Sequence, residues 1–223
     1  MPFREKVLAL DGALRRCGAW VVSGETILAG READGERGQA AHLSAMARDV
    51  LAATGLTAGD LGLIAVTVGP GSFTGIRAAL ALAHGLALGA GVPVVGVTLG
   101  EALAESVEDH LGRELWVATD SRRGRVFLER GQKAEAFPVD LLPVPDGPVA
   151  IAGDQAMAVA VQLAAKGYDI MLTDARVPDG IAITRAAVKR QAGGLSERCA
   201  LPLYIDAPEV RLPAAGYRPP PLP

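Results

Sequence analysis

Ile64–Leu99, IAVTVGPGSFTGIRAALALAHGLALGAGVPVVGVTL, decides the fold. Ile64 to Val68 is a β-branched apolar run of strand length, and Gly69-Pro70-Gly71 stops it. Ser72 and Thr74 then offer hydroxyls to the free N–H groups of a helix expected from about Gly75 to Leu88, while the glycines let backbone approach closely. The predicted unit is strand, glycine turn and helix, followed by a second strand over Val92–Val97.

A turn of this kind can cradle a phosphate, but its spacing departs from the nucleotide-binding loops. No Lys follows the last glycine, and Gly69, Gly71 and Gly75 miss the G-x-G-x-x-G spacing by one residue. G-x-S-x-G is absent, so Ser72 has no nucleophile elbow around it. Gly69, Gly71, Ser72, Thr74 and Gly75 therefore read first as turn chemistry, second as a phosphate contact, and third as the frame of a nucleophilic Ser72.

Almost every residue from Ala78 to Leu88 is apolar, and Arg77 and His84 are the only strongly polar members of the helix. Such a helix must be covered nearly all round. His84 breaks the apolar run and Gly91 and Pro93 end it short of ~18 residues, which excludes a membrane span. Ala81, Gly85 and Gly89 recur every four residues, a small-residue stripe that lets another helix come near. Two readings follow: a buried core helix, or a helix covered on one side by a second protein chain.

At 223 residues the chain can bury a sizeable core, in one domain or two small ones, and half its residues are hydrophobic. Aromatics make up 4%, too few for base-stacking platforms, and a net charge of -3 gives no electrostatic footprint for gripping nucleic acid alone. Cys17 and Cys199 are too few and too isolated for a disulfide framework or a zinc site, and no metal site is expected. Arg4, Glu5 and Lys6 precede a short strand with no apolar leader, so a cytoplasmic protein is expected.

Taken in order, Val7–Leu10, Gly18–Val22 and Thr26–Gly30 read as a three-stranded meander whose first strand ends at Asp11. A helix over about Ala41–Ala53 follows, because Leu43, Met46, Ala47, Val50 and Leu51 share one face. After the central unit comes a helix over about Leu99–Val107, and then a weaker echo. Leu115–Thr119 is a strand ending in Asp120, Arg125–Arg130 pairs with it, and the segment to Pro148 holds one short strand and a proline-rich loop. Val149–Ala152 is a strand, Asp154 can cap a helix to about Lys166, Tyr168–Leu172 is a strand, and Ala182–Arg190 is helical. Two halves that each begin with a strand ending in Asp suggest duplication. The expected domains are residues 1–107, a smaller second lobe over 108–192, and a Pro-rich segment over 193–223 that wraps the surface or is disordered.

GPGSFTGIR, the small-residue helix and VPVVGVTLGEALA together resemble the signature of the TsaB (YeaZ) family, with looser likeness at VLALDGA, RGQAAHLSAM, ATDSRRGRVF and PLYIDAPEVRLP. That resemblance implies an α/β, duplicated ribonuclease-H-like fold of the actin-like ATPase (ASKHA) type with a reduced second lobe, which the order of elements also matches. It implies a non-catalytic subunit of the machinery that makes N6-threonylcarbamoyladenosine next to the tRNA anticodon. The implied partners are the catalytic paralogue TsaD, in a heterodimer, and the ATPase TsaE. ATP would be used by the partner complex with no cofactor bound by the chain alone, tRNA would be reached only through the complex, and a homodimer is open for the lone chain. The two helices would form the partner face, through Leu43, Met46, Val50, Arg77, Ala81, His84, Gly85 and Leu88.

Active members of the fold place hydroxyl and glycine residues after the first strand of each lobe. Here Asp11-Gly12-Ala13-Leu14-Arg15-Arg16 lacks Ser or Thr, and Asp120-Ser121-Arg122-Arg123-Gly124 puts two arginines where glycines would admit phosphate. The nucleotide site reads as dismantled. Gln39 and Asp206 also stand where the family has His and Arg. The alternatives are a weak nucleotide-binding ATPase or kinase resting on Asp11 and Asp120, and a peptidase-like hydrolase, for which no spacing ties His42, His84 or His110 to Ser72.

Overall fold

Val, Leu and Ala between Lys6 and Asp11 make β1 (Lys6–Asp11) a strand buried on both faces, and it becomes the pivot of the first sheet. The computed structural model describes residues 5–34, 39–121, 124–196 and 198–205. On one side β1 pairs antiparallel with β2 (Arg16–Ser23), which pairs antiparallel with β3 (Thr26–Asp34). On the other side it pairs parallel with β4 (Leu63–Thr67), and β5 (Val94–Val97) adds a second parallel partner. The order is β3-β2-β1-β4-β5.

The second sheet repeats this course. β6 (Glu114–Asp120) pairs antiparallel with β7 (Arg125–Arg130) and parallel with β9 (Val149–Ala152). β8 (Lys133–Pro138) and β10 (Ile170–Leu172) complete the order β10-β9-β6-β7-β8. Strand for strand, β6 to β10 follow β1 to β5, which is the duplicated ribonuclease-H-like fold of the actin-like ATPase type. The helices show where the second copy is reduced. α1 (Gln39–Thr54), between β3 and β4, has no counterpart, because the segment between β8 and β9 carries Pro143, Pro145 and Pro148. α2 (Phe73–Ala90) corresponds to α4 (Ala156–Ala165), and α3 (Leu99–Ala104) to α5 (Gly180–Gln191).

The last helix of each copy crosses to the other sheet. Ile183, Ala186 and Ala187 of α5 share a core with Val7, Ala9, Trp20, Leu63 and Ala65 of the first sheet, and Leu103 of α3 packs with Val117 and Ala152 of the second. α3 and α5 also touch each other, so they form the layer between the sheets. A lobe division by sequence order alone, which puts α5 with the second lobe, does not follow this packing. On the outer side, Leu43, Ala47 and Val50 of α1 and Ile76, Ala79, Leu80 and Ala83 of α2 cover the first sheet. Val159 and Leu163 of α4 pack on Trp116, Leu128 and Ile151 of the second.

Three details differ from the sequence expectation. α2 starts at Phe73, capped by Ser72, and ends at Gly91 in the left-handed region, so it is 18 residues long. It is therefore long and apolar enough to cross a membrane by length and composition, although a third of it is buried against the core. Asp154 does not cap α4, whose N-cap is Gln155 with no side-chain bond; its Oδ1 accepts from Asp120 N at 3.0 Å instead. α5 begins before Ala182 because Asp179 accepts from Ala182 N at 2.8 Å.

Candidate functional site

The glycine turn is seated on the loop after β1. Ser72 Oγ accepts from Gly75 N at 3.3 Å, the expected helix cap, and Ser72 N donates to Ala13 O at 2.6 Å. Gly71 has φ +156°, and a methyl group there would overlap Ala13 O; one on Gly75 would overlap Gly12 O. The close approach that these glycines permit is used by Gly12 and Ala13 of the same chain. Gly69 has φ +108°, and Thr74 is exposed in the first turn of α2. Asp11 is buried; its Oδ1 accepts from Thr67 Oγ1 at 2.5 Å and from Ala13 N at 2.9 Å. Burial pushes its carboxyl above the ordinary range against the pull of those two bonds and of Arg16. Asp11 thus ties β1, β4 and the loop after β1 together from inside.

Peptidase geometry is not assembled among the described residues. Ser72 Oγ serves the helix cap, His84 Nε2 lies 2.8 Å from Ala200 O, and His42 and His110 are exposed. No group of three or more His, Cys, Asp or Glu among the described residues is placed to hold a metal. Arg122, Arg123, Asp206 and the side chain of Gln39 lie outside the described residues.

The proposed partner face divides in two. Leu43 and Val50 are 1% and 0% exposed and belong to the core, which corrects their assignment to an interface; Met46 is half-buried against the same cluster. Helical periodicity identifies the apolar side of α1, and in this chain the sheet covers it. The outer side of α1 is polar, with His42, Ser44, Arg48 and Asp49 exposed. α2 is the reverse. Arg77, Ala81, His84, Gly85 and Leu88 are all exposed, Leu88 at 89%, and side chains added at Gly85 or Gly89 would meet open space.

The sequence reading missed Phe73 and Tyr204, which complete this face. The Arg77 guanidinium stacks 3.6 Å above the Phe73 ring, and its Nε donates to Tyr204 Oη at 2.8 Å. Phe73 and Tyr204 are each half exposed, with ring centroids 5.9 Å apart. Leu203 N donates to Val68 O at 2.8 Å, which brings the segment carrying Tyr204 alongside α2. The available signal was an aromatic pair in a chain with few aromatics.

The model of the TsaD family, described as tRNA N6-adenosine threonylcarbamoyltransferase, matches residues 34–191. The tRNA threonylcarbamoyladenosine biosynthesis protein TsaB of Escherichia coli K12 is 32% identical over 131 residues, 58% of this chain and 56% of that protein. The tRNA N6-adenosine threonylcarbamoyltransferase of Cereibacter sphaeroides is 43% identical over 104 residues, 45% of this chain and 28% of that protein. The chain spans little more than half the length of the TsaB relative it matches. Among solved structures, YeaZ from Pseudomonas aeruginosa superposes with a TM-score of 0.73 at 24% identity, covering 90% of this chain and 99% of that one, and so shares its fold. The likeness to TsaB and YeaZ expected from the glycine turn is thus met in sequence and in fold.

Proposed function

Because the chain belongs to the TsaD family, we propose that it serves tRNA threonylcarbamoyladenosine biosynthesis as a non-catalytic subunit that pairs, through the outer face of α2, with a TsaD-like paralogue. The observation that carries this reading is the exposed side of an 18-residue helix, where Phe73, Ala81, Gly85 and Leu88 lie beside Arg77 and His84. An exposed helix side with a small-residue stripe suits a second helix at close range. The family match over residues 34–191 takes in both α1 and α2, so a TsaD-like chain has the corresponding helices with which to build a near-symmetric contact. A homodimer through the same face is the corresponding state of the lone chain.

The absence of catalysis by the chain itself is supported by its loops. The glycines of the turn are occupied by Gly12 and Ala13, and Asp11 is buried in structural bonds. Chemistry then falls to the paralogue, with a TsaE-like ATPase joining the pair and consuming ATP. A net charge of -3 supports contact with tRNA through the complex rather than by this chain alone.

Reconstitution tests the proposal: a TsaD-like paralogue, a TsaE-like ATPase, the threonylcarbamoyl donor, ATP and tRNA are combined with and without this chain. Modified adenosine should form only when the chain is present, and the chain alone should not turn over ATP. Hydrolysis by the chain alone near ~1 per second, abolished by Asp11→Ala, would contradict it.

A further inference from the structure

Between the layer of α3 and α5 and the second sheet lies a cavity of about 400 Å³, walled by these helices, the segment after α5 and the adjoining strands β6 and β7. Glu129 of β7 lines it and is only 5% exposed. β7 alternates, so Val126 and Leu128 point into the core under α4 while Glu129 points to the helices between the sheets. Its Oε1 accepts from Gly100 N of α3 at 2.6 Å, and the hydroxyl of Thr98, the N-cap of α3, bonds the same carboxyl. The fit is tight: a methyl group on Gly100 would come within 2.7 Å of the Glu129 carboxyl.

The charged groups around Glu129 do not neutralise it cleanly. From α3, Glu101 holds Thr98 N at 2.7 Å and pairs with Arg190 of α5. Arg190 is buried and also donates to Gly96 O and, at 2.8 Å, to Ser196 O. Glu105, just beyond α3, pairs with Lys189 of α5 at 2.8 Å. Glu114 at the start of β6 adds a further carboxylate to the wall, and Arg198 after α5 is the cation that acts on Glu129. Lys189 and Arg190 are thus engaged by other acids, and Glu129 shares its site with the Glu101 carboxylate.

We propose that Glu129 is a proton-operated catch between the two lobes, holding β7 against the N-terminus of α3 when it carries a proton and loosening that contact when it does not. Burial, reinforced by Glu101, raises its carboxyl from 4.5 to about 7, while the bonds from Thr98 and Gly100 and the charge of Arg198 oppose the rise. Those two bonds are available to a neutral carboxyl as well, so loss of the proton adds a buried charge beside Glu101 that stronger bonds and Arg198 only partly offset. A group that binds its proton more tightly when docked favours docking fully below pH 4.5, and that advantage is lost as pH rises to about 7. The inference rests on the lobe contact alone and stands apart from the role proposed for α2.

Two measurements on the full chain test it. The first is a carboxyl carbon NMR titration, with Glu129 assigned by its loss in Glu129→Gln. The second is amide exchange of the 98–104 segment across pH 5.5–8.5, corrected for intrinsic rates. Glu129 should titrate near 7, and protection of the segment should fall from pH 5.5 and level off above about 7, by up to roughly 30-fold within this window. In Glu129→Gln protection should stay flat; if that variant does not fold, levelling-off of the wild-type protection at the Glu129 midpoint decides. A Glu129 titration near 4.5, protection unchanged between pH 5.5 and 7, or wild-type pH dependence in the Gln variant would each overturn the catch.

Discussion

The two repeats share a strand course and cover it differently. In the first, two helices lie over the sheet: α1 turns polar residues outward, whereas α2 turns out Phe73, Ala81, Gly85 and Leu88. In the second, α4 is 10 residues long, and a proline-bearing segment takes the place of a second helix. The turns that lead into α2 and α4 diverge as well. Ser72 caps α2 with its hydroxyl, while Gln155 makes no side-chain cap and Asp154 bonds back to Asp120 N. Duplication has kept what the backbone needs, namely strand order and glycines at the close approaches. The side chains that meet the outside have gone separate ways: α4 exposes Met157 and Val161, and α2 exposes Phe73 and Leu88.

Substitutions can break this comparison or sharpen it. The largest effect should come from Leu43→Ala, which leaves a cavity under α1 and costs about 2–5 kcal/mol, against less than about 0.5 kcal/mol for Leu88→Ala on the bare side of α2. Denaturant unfolding of the lone chain measures both, and equal losses would put the two positions in the same environment. Next come the glycines at matching turns. Gly71→Val would drive its side chain into Ala13 O and Gly153→Val into Ala118 O, at positive φ in both repeats, so each should cost about 1–3 kcal/mol or more. If one repeat accepts valine without loss, the shared close approach is refuted there. The smallest contrast is at the caps: Ser72→Ala should cost about 1 kcal/mol and Gln155→Ala less than about 0.5.

Much of the strand course was legible, because short apolar runs stopped by glycine or ending in Asp mark strands buried on both faces. The glycine turn and its Ser72 cap were legible for the same local reason. What covers an apolar face was not: Leu43 and Leu88 both sit on apolar helix sides, and only the placement of the sheet separates them. α5 follows the second sheet in sequence, yet Gly180 lets it lie against the Trp20 ring of the first, a contact no local pattern encodes. Glu129 was invisible for a related reason. A single Glu in VFLER reads as a solvent-facing strand residue until α3 closes over it.

Co-purification of Gly85→Arg with a TsaD-like paralogue tests the assembly role most directly, because Gly85 faces open space in the lone chain and can accept a long side chain there. The account predicts a variant that melts like the wild type and no longer retains the paralogue, since an arginine would hold the facing helix off the stripe formed by Ala81, Gly85 and Gly89. A folded Gly85→Arg chain that still binds the paralogue with wild-type affinity would contradict it.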